Sequence, residues 1–290
     1  MKLTTDMKIL IVGLGVMGGG YAMALSKKGY SVSCLTKNQE DIDYALARGM
    51  ITEGTTEVSE DLLHKADLIV FALYPDTFLR WIGEHGAKIK PGTLITDVTG
   101  VKSTVVETVQ ALLPDGVEFI ATHPMAGRER SGVAYADDAV FERANFIVTP
   151  TERNTPEAIE LAKELGYTLG FATVSELSPK EHDEMIAFLS QLTHCIAVTL
   201  MTCNEAPSLE KYTGDSFRDL TRIAKINDVM WSELFLLNRD ALLHEMDAFM
   251  AEFAEFRHML ATGDRDGMQK KMRLSTERRA KFDKPPEKKG

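Results

Sequence analysis

A glycine-rich turn between a short apolar run and a helical pattern places the strongest limit on how this chain folds. Residues 8–13, KILIVG, are apolar and partly β-branched, and the segment GLGVMGGGYAMALSKKG continues with apolar residues at helical spacing. A strand, a turn and a helix in this order give the pattern Gly13-x-Gly15-x-x-Gly18 structural meaning. Gly13 permits the tight turn, Gly15 lets backbone approach a pyrophosphate, and Gly18 lets the helix pack closely on the sheet.

The turn predicts a dinucleotide-binding site. The N-terminus of the helix presents unpaired backbone N–H groups and a dipole that favours phosphate. We expect the nucleotide to be bound by Gly13, Gly15, Val16, Met17 and Gly18 at the turn, and by Thr36, Lys37 and Asn38 at the end of the second strand.

The residues after the second strand bear on the choice between NAD and NADP. NAD-selective domains usually place an acid at this corner for the ribose hydroxyls, whereas this chain has Thr36, Lys37 and Asn38 there. A missing carboxylate removes repulsion against a 2′-phosphate and a lysine attracts it, so the corner favours NADP. The alternative is a solvated Lys37, with NAD bound through hydroxyl and amide contacts.

The first half of the chain alternates between strand-like and helix-like segments. The further strand-like runs are residues 30–35, 67–73, 93–98, 117–122 and 144–150. Continuous apolar strands separated by helices predict an α/β fold, with an N-terminal Rossmann sheet that is doubly wound, mostly parallel and covered on both faces. Ligands of such a sheet bind outside the carboxyl ends of the strands.

The second half is predicted to be helical. The segment SPKEHDEMIAFLSQLTHCIAVTLM opens with Ser178 as a helix cap and Pro179 at the first helical position. From there to about residue 277 we find helix signals and no convincing strand. We therefore expect a dinucleotide-binding domain over residues 1–176 and an all-helical domain over 177–290.

Composition narrows the class of protein. A chain of 290 residues with 44% apolar content can fill a sizeable core. The formal net charge of −10 argues against nucleic acid or an anionic membrane as a partner. We see neither a signal peptide nor an apolar run of the ~20 residues that a membrane span needs, so we expect a soluble, cytoplasmic protein. The three cysteines have no metal-type pairing and predict reduced thiols without a metal site.

The stretch FIATHPMAGRERSG, residues 119–132, is a candidate site. His123 follows the strand-like run 117–122, and at that edge of the sheet it would reach a nicotinamide. Pro124 restricts the backbone before it and helps to fix the imidazole. The alternative is a solvated turn, and Arg128 and Arg130 remain open between attracting anions and facing water.

The helical half contains further polar groups that could converge on His123. They lie in EHD at 181–183, SQLTH at 190–194 and GDSFRDLTRIAKINDVMW at 214–231. Arg218 and Arg222 are four residues apart and are expected to share a helix face, with Asp219 three before Arg222. A surface charge cluster is the alternative interpretation.

The combination is more specific than its parts. THPMAGRERSG, EHD followed by SQLTH, and DSFRDLTRIA before MW, in that order behind GLGVMG, resemble the prephenate/arogenate dehydrogenase family over residues 7–275. The resemblance implies an N-terminal Rossmann domain and a helical C-terminal domain for substrate binding and dimerisation. The implied reaction is oxidative decarboxylation of prephenate to 4-hydroxyphenylpyruvate with NAD(P) in tyrosine biosynthesis, or alternatively of arogenate to tyrosine.

The resemblance also implies roles for single residues. His123 matches the catalytic histidine, and Arg222 matches the arginine that holds a substrate carboxylate. The remaining substrate-site residues are Glu129 at the pocket entrance, His194 near the substrate, and Asp219 and Trp231 in the surrounding wall. Histidine, with an ordinary pKa near neutrality, suits removal of the substrate hydroxyl proton, and arginine grips a carboxylate with two prongs.

Two positions depart from the family pattern. The family often has a serine in an SVK segment that hydrogen-bonds the histidine and the substrate hydroxyl, whereas TGVK here places Gly100 at that position. Thr99 or a water molecule could substitute. The first histidine of the frequent SHxPH pattern is Gln191 in this chain.

The last long helix carries an apolar seam. Its residues are Leu242, Met246, Phe249, Phe253, Phe256 and Leu260, at alternating spacings of four and three. Intramolecular packing and a helix exchanged across a homodimer both explain this pattern. The resembled family forms homodimers, which favours the second.

Two other classes compete with this interpretation. A 3-hydroxy acid dehydrogenase shares the opening GLGVMGGGYAMALSKKGYSV, but residues 160–200 contain no glycine-rich helix with a lysine and asparagines. A nucleotide-binding protein without turnover is the rival from a different class, with Gly100 as the sign of a decayed site.

Overall fold

The computed structural model describes residues 2–127, 130 and 132–283. The strands are β1 Lys8–Val12, β2 Ser31–Leu35, β3 Glu53–Thr55, β4 Leu68–Phe71, β5 Leu94–Asp97, β6 Glu118–Phe119, β7 Ala121–Pro124, β8 Asn145–Thr149 and β9 Thr173–Glu176. The helices are α1 Val16–Lys27, α2 Gln39–Ala47, α3 Glu60–Lys65, α4 Pro75–His85, α5 Ser103–Leu112, α6 Pro156–Leu169, α7 Pro179–Ile186, α8 Thr193–Thr202, α9 Asp215–Thr221, α10 Asp228–Leu237, α11 Arg239–Thr262 and α12 Arg265–Arg279.

The main sheet has the Rossmann strand order. Six parallel strands lie in the order β3-β2-β1-β4-β5-β6, and Ile11 on β1 pairs with Cys34 on β2 and Val70 on β4. The order reverses between β1 and β4, where ligands of such sheets bind. The two apolar clusters of the core take alternate residues of the same strands, such as Ile9 and Ile11 in one cluster and Leu10 and Val12 in the other, so both faces of the sheet are covered, as expected of a doubly wound sheet. The predicted fold class is confirmed.

The predicted strand at 117–122 is divided between two sheets. Residues Glu118–Phe119 form β6 at the edge of the main sheet, and Ala121–Pro124 form β7, which pairs antiparallel with β8 in a second sheet of order β7-β8-β9. Phe119, Ile120 and Ala121, which span the point of division, are all apolar and buried, so hydrophobicity alone cannot reveal the switch. His123 therefore lies within β7 and not after a strand. The short strands β3 and β9 were not predicted.

Capping side chains lie at the start of α6, which joins β8 to β9, and at the start of α7, the first helix of the helical part. Thr155 accepts a hydrogen bond from the Ala158 N–H at the start of α6. Ser178 and Glu181 form a capping box at the start of α7, with Pro179 at the first helical position as predicted. From β9 to residue 283 the described chain contains helices and no strand.

The helix that follows the capping box is more apolar than the sequence analysis allowed. By length and composition, one described helical stretch, Pro179–Thr202, could cross a membrane, with a mean hydropathy of 1.5 in its most apolar window. Ser, Thr, Gln and His interrupt this stretch without adding charge, so it qualifies by average hydropathy although it contains no continuous apolar run of ~20 residues. The buried amide of Gln191 in this stretch bonds within the protein, to the carbonyl of Leu234.

The chain separates into two compact units, residues 1–241 and 242–290. In the second unit, three of the six seam residues of α11 are exposed, Phe249 at 39%, Phe253 at 65% and Leu260 at 65%, whereas Leu242 is buried. Lys271 of α12 forms ion pairs with Glu252 and Glu255 of α11. The boundary at 176/177 stays a prediction.

Candidate active site

Of the three glycines of the turn, only Gly15 has open space where a side chain would be, and this space leaves room for a pyrophosphate. Gly13 has φ 95°, and a Cβ there would lie 2.5 Å from the Ala72 carbonyl oxygen. A Cβ on Gly18 would lie 2.0 Å from the Gly13 carbonyl oxygen, whereas one on Gly15 would meet nothing within 4 Å. The first and third glycines are therefore needed for packing, and the open side of Gly15 fits the approach of a nucleotide phosphate.

Helix α1 begins directly behind this opening. Val16 and Met17 form its first turn, with Gly15 as the residue before it, and no side chain caps the N-terminus or places an acid there. The backbone N–H groups of a first helical turn lack intrahelical partners, and the helix dipole adds positive potential. The turn fits a bound dinucleotide phosphate.

The corner after β2 has a carboxylate close to it, although none of its own three residues is acidic. Thr36 is buried, and Lys37 and Asn38 are exposed. The Asn38 amide donates a 3.0 Å hydrogen bond to the carboxylate of Asp41, on the first turn of α2. A carboxylate therefore stands next to Asn38 although none occurs at 36–38, and it disfavours a 2′-phosphate while Lys37 favours one.

A fully buried ion pair joins the carboxyl end of β5 to the strand that carries His123. The Lys102 Nζ atom lies 2.7 Å from Asp97 Oδ2 and donates a 2.6 Å hydrogen bond to the carbonyl oxygen of Thr122. The other oxygen of Asp97 accepts the N–H of Thr122 at 3.0 Å. Burial lowers the pKa of Lys102, and the negative charge of Asp97 opposes this shift. Neither residue was predicted from the sequence, where their only signal was an acid at the end of an apolar strand and a lysine five residues later.

His123 is bonded to a second histidine. Its Nδ1 atom lies 2.8 Å from Nε2 of His182 on α7, and Nδ1 of His182 lies 2.8 Å from Oδ1 of Asp183. The carboxylate of Asp183 also accepts the backbone N–H groups of Lys102 at 2.8 Å and Ser103 at 2.7 Å. His182 and Asp183 belong to the EHD segment that the sequence analysis singled out without assigning it a role.

The electrostatic surroundings keep both imidazoles neutral at neutral pH. Burial lowers the pKa of His123 well below its ordinary value of 6.5, and His182 and the Lys102 cation lower it further. Burial also lowers the pKa of His182, against the raising effect of Asp183. Burial acts to raise the pKa of Asp183, but hydrogen bonds from His182 and Ser103 outweigh it and hold this pKa low. The near-neutral pKa expected for His123 is therefore too high, because the side chain is desolvated.

The second nitrogen of His123 faces Gly100. A Cβ on Gly100 would lie 3.8 Å from His123 Nε2 and 3.4 Å from a methyl group of Leu234 on α10. Thr99 does not substitute for the missing serine, because its buried hydroxyl is bonded to the Asp97 carboxylate and to the Val101 carbonyl. Of the two substitutes considered, a water molecule remains.

A π-helical segment, Ala187–Leu192, sets the orientation of His194 relative to His182. In an uninterrupted α-helix, residues with this 12-residue separation would point about 120° apart around the axis. The extra residue of a π turn rotates the following helix back by about 100°. The side chains of His182 and His194 therefore project in directions roughly 20° apart around the helix axis.

His194 and Trp231 are brought together. Their rings stack with centroids 3.7 Å apart, and the Nδ1–H of His194 donates a 2.8 Å hydrogen bond to the Ser190 carbonyl. Trp231 lies one turn before Leu234 on α10, the residue that covers Gly100. The stacked pair is thus connected through α10 to the surroundings of His123.

Arg222 and Asp219 do not share one continuous helix. Helix α9 ends at Thr221, and Arg222 begins the 3₁₀ turn Arg222–Ala224, so Arg218 and Arg222 do not lie on one continuous α-helix as predicted. The guanidinium of Arg218 bonds Asp215 at 2.8 Å instead. The turn that holds Arg222 packs against α8, which carries His194, and Asp219 is exposed.

Two of the predicted residues lie outside the described part of the chain. These are Glu129, expected at the pocket entrance, and Arg128. The Arg130 guanidinium lies 4.9 Å from the ring centroid of Tyr135, a cation–π distance. Among residues 2–127, 130 and 132–283 there is no group of three or more potential metal ligands.

The fold and the site together define a Rossmann-type, nucleotide-binding dehydrogenase, with a neutral histidine at the carboxyl ends of the strands. A family model described as the prephenate dehydrogenase nucleotide-binding domain matches residues 21–174, and one described as the prephenate dehydrogenase dimerization domain matches residues 178–274. The chain belongs to the prephenate dehydrogenase family.

Individual relatives agree with this assignment. Prephenate dehydrogenase of Bacillus subtilis (strain 168) is 30% identical over 269 residues, which are 90% of this chain and 72% of that protein. Cyclohexadienyl dehydrogenase of Zymomonas mobilis is 28% identical over 274 residues, covering 91% and 92%. The crystal structure of prephenate dehydrogenase from A. aeolicus, in complex with hydroxyphenyl propionate and NAD+, is similar with a TM-score of 0.89 and 28% identity, covering 98% and 100% of the two chains.

The two central glycines can be tested as a matched pair. We expect Gly18→Ala to lower the free energy of unfolding by about 1–3 kcal/mol, because its Cβ overlaps the Gly13 carbonyl. Gly15→Ala should change stability by less than about 0.5 kcal/mol but weaken nucleotide binding, measured by titration calorimetry. Equal nucleotide affinity in Gly15→Ala and wild type would contradict the cradle.

The buried ion pair can be tested through stability. Lys102→Met leaves Asp97 charged and unpaired in the core, so we expect a loss of about 3–5 kcal/mol in urea unfolding. The double variant Asp97→Asn/Lys102→Met removes both charges and should recover part of that loss. A loss below about 1 kcal/mol in the single variant, the range of exposed ion pairs, would contradict a structural role for the pair.

Proposed function

We propose that this protein oxidatively decarboxylates prephenate to 4-hydroxyphenylpyruvate, with hydride transfer to NAD(P), in tyrosine biosynthesis. Membership of the prephenate dehydrogenase family supports the reaction. The neutral imidazole of His123, held by His182 at the carboxyl edge of the strands, is the observation that carries it. Arogenate, which has an amino group where prephenate has a keto group, is the alternative substrate.

His123 is the proposed base. Prephenate has a hydroxyl group at ring carbon C4 and a carboxylate at ring carbon C1. When bound, the oxidised nicotinamide accepts the hydride from C4. His123 takes the hydroxyl proton as C4 becomes a carbonyl carbon. The C1 carboxylate then leaves as CO2, the ring becomes aromatic, and the phenolate oxygen recovers the proton from His123. His123 therefore ends the reaction in the protonation state in which it began.

The remaining site residues are proposed to hold the substrate. Arg222 would bind a substrate carboxylate through its planar guanidinium. His194, stacked on Trp231 and bonded through Nδ1 to the Ser190 carbonyl, is proposed to lie near the substrate. Asp219 belongs to the wall, and Glu129 to the pocket entrance.

The cofactor is NAD or NADP, and we favour NADP. Lys37 offers a cation for a 2′-phosphate at the end of β2. Asp41, bonded to Asn38, opposes this preference and leaves NAD acceptable.

A homodimer is the proposed assembly, in the cytoplasm, without nucleic acid or membrane as partner. The exposed phenylalanines of α11 and the match of residues 178–274 to a dimerization domain support it. Exposed apolar patches of this kind mark protein interfaces.

An assay of both acids with both cofactors tests the function. We expect cofactor reduction with prephenate, followed by nicotinamide absorbance. His123→Asn should lower kcat by about 10²-fold or more, because general-base help is typically worth 10² to 10⁴, with nucleotide affinity unchanged. The pKa of His123 lies well below 6.5. Protonation of His123 should therefore lower wild-type kcat/KM only at pH values below 6.5.

Two results would contradict the assignment. Unchanged turnover in His123→Asn would remove His123 from the reaction. Tight nucleotide binding without reduction by either acid would favour the non-catalytic alternative, and turnover of a 3-hydroxy acid instead would favour that related class.

Lys37 is expected to read the 2′-phosphate. Lys37→Ala should raise the KM for NADP about tenfold, roughly the 1.4 kcal/mol of one charge-assisted hydrogen bond, and leave the KM for NAD unchanged. Lys28→Ala, another exposed lysine at the end of α1, is the matched control. A parallel change in both KM values would show that Lys37 does not discriminate.

Phe253→Glu should convert a dimer into monomers or aggregates, because a carboxylate in an apolar interface is costly to desolvate. Light scattering at micromolar concentration measures the mass. Ala251→Glu adds the same charge at an exposed position near the opposite face of α11 and should leave the dimer intact. An active wild-type monomer would assign the seam to packing within one chain.

A further inference from the structure

We propose that His182 and Asp183 are positioning residues that fix the tautomer of His123, so that Nε2 is the basic nitrogen. The inference rests on the proposed function only for the use of that nitrogen. The tautomer itself follows from hydrogen bonds of the described residues, taken in order from Asp183 inward.

The carboxylate of Asp183 determines which nitrogen of His182 carries the proton. Both carboxylate oxygens of Asp183 accept backbone N–H groups, Oδ1 from Lys102 at 2.8 Å and Oδ2 from Ser103 at 2.7 Å. An ionised carboxylate can only accept hydrogen bonds. Nδ1 of His182, 2.8 Å from Oδ1, must therefore be the donor and carry a proton.

His182 in turn determines which nitrogen of His123 carries the proton. A neutral imidazole has one donor and one acceptor nitrogen, so Nε2 of a neutral His182 is an acceptor. Nδ1 of His123 lies 2.8 Å from it and must donate. The proton of a neutral His123 is then on Nδ1, and Nε2 carries the lone pair.

The unprotonated nitrogen of His123 faces the position of Gly100. Nε2 of His123 lies on the side of Gly100 and Leu234, where a Cβ on Gly100 would come within 3.8 Å of it. The opposite tautomer would present an N–H there and could not accept a substrate proton. Choice of tautomer thus decides whether the base exists.

The same chain stabilises the imidazolium that forms during the reaction. The Lys102 cation disfavours a charged His123, and its Nζ atom is committed to Asp97, Thr99 and the Thr122 carbonyl. Asp183 supplies the opposing negative charge through His182. Because the reaction returns the proton to the product, the chain need only hold it and not release it to solvent.

Two variants of nearly equal size separate the acceptor from packing. His182→Gln can place an amide oxygen near the position of Nε2, whereas His182→Met fills a similar volume without an acceptor of comparable strength. We expect His182→Met to lower kcat about 10²-fold or more, the range of general-base catalysis, and His182→Gln to recover at least tenfold of that loss. KM and nucleotide affinity should stay near wild type in both.

Nitrogen NMR of the full-length, ¹⁵N-histidine-labelled protein supplies a readout independent of activity. His123→Asn identifies the His123 signals. In the wild type we expect a protonated Nδ1 and an unprotonated Nε2 at His123, with that preference lost in His182→Met. A wild-type His123 protonated on Nε2 would overturn the proposal, whether or not His182→Met folds.

The outcomes also separate this proposal from the proposed function. Equal kcat in His182→Gln and His182→Met, both well below wild type, would assign His182 a packing role and overturn the proposal. A wild-type protein with the expected tautomer but no reduction with prephenate or arogenate would contradict the proposed function and leave the tautomer assignment standing.

Discussion

The buried contact between Lys102 and Asp97 is the interaction on which the site depends. The side chain of Lys102 joins the end of β5 to the carbonyl of Thr122, the residue before His123. The backbone N–H of the same lysine binds Asp183 on α7. One residue thus ties the main sheet, the second sheet and the helical part together. Burying two charges is costly unless both are paired and hydrogen-bonded, and here each has several partners.

Local signals were sufficient for the framework. The glycine turn, the strand runs and the cap at Ser178 depend on residues close in sequence, and the structure confirms them. The division of residues 117–122 between two sheets and the roles of Lys102 and His182 depend on pairing with residues distant in sequence. Hydrophobic periodicity carries no information about such pairing. The roles of His123 and Arg222 came from resemblance and stay predictions.

The cofactor corner shows a different limit of sequence reasoning. Absence of an acid at 36–38 was read as absence of negative charge, but a helix that begins directly after the corner brings Asp41 back to Asn38. Residues three apart on a first helical turn are neighbours. The electrostatic character of a loop therefore includes the turn that follows it.

The two departures from the family pattern meet at one residue. Gln191 donates its amide N–H to the carbonyl of Leu234, and the side chain of Leu234 covers Gly100 beside His123. Where the family often has a serine hydroxyl near the base, this chain has an apolar cover. Desolvation is the largest cause of the low pKa of His123. His123 therefore stays neutral at neutral pH, and the task that remains is to keep its single proton on Nδ1.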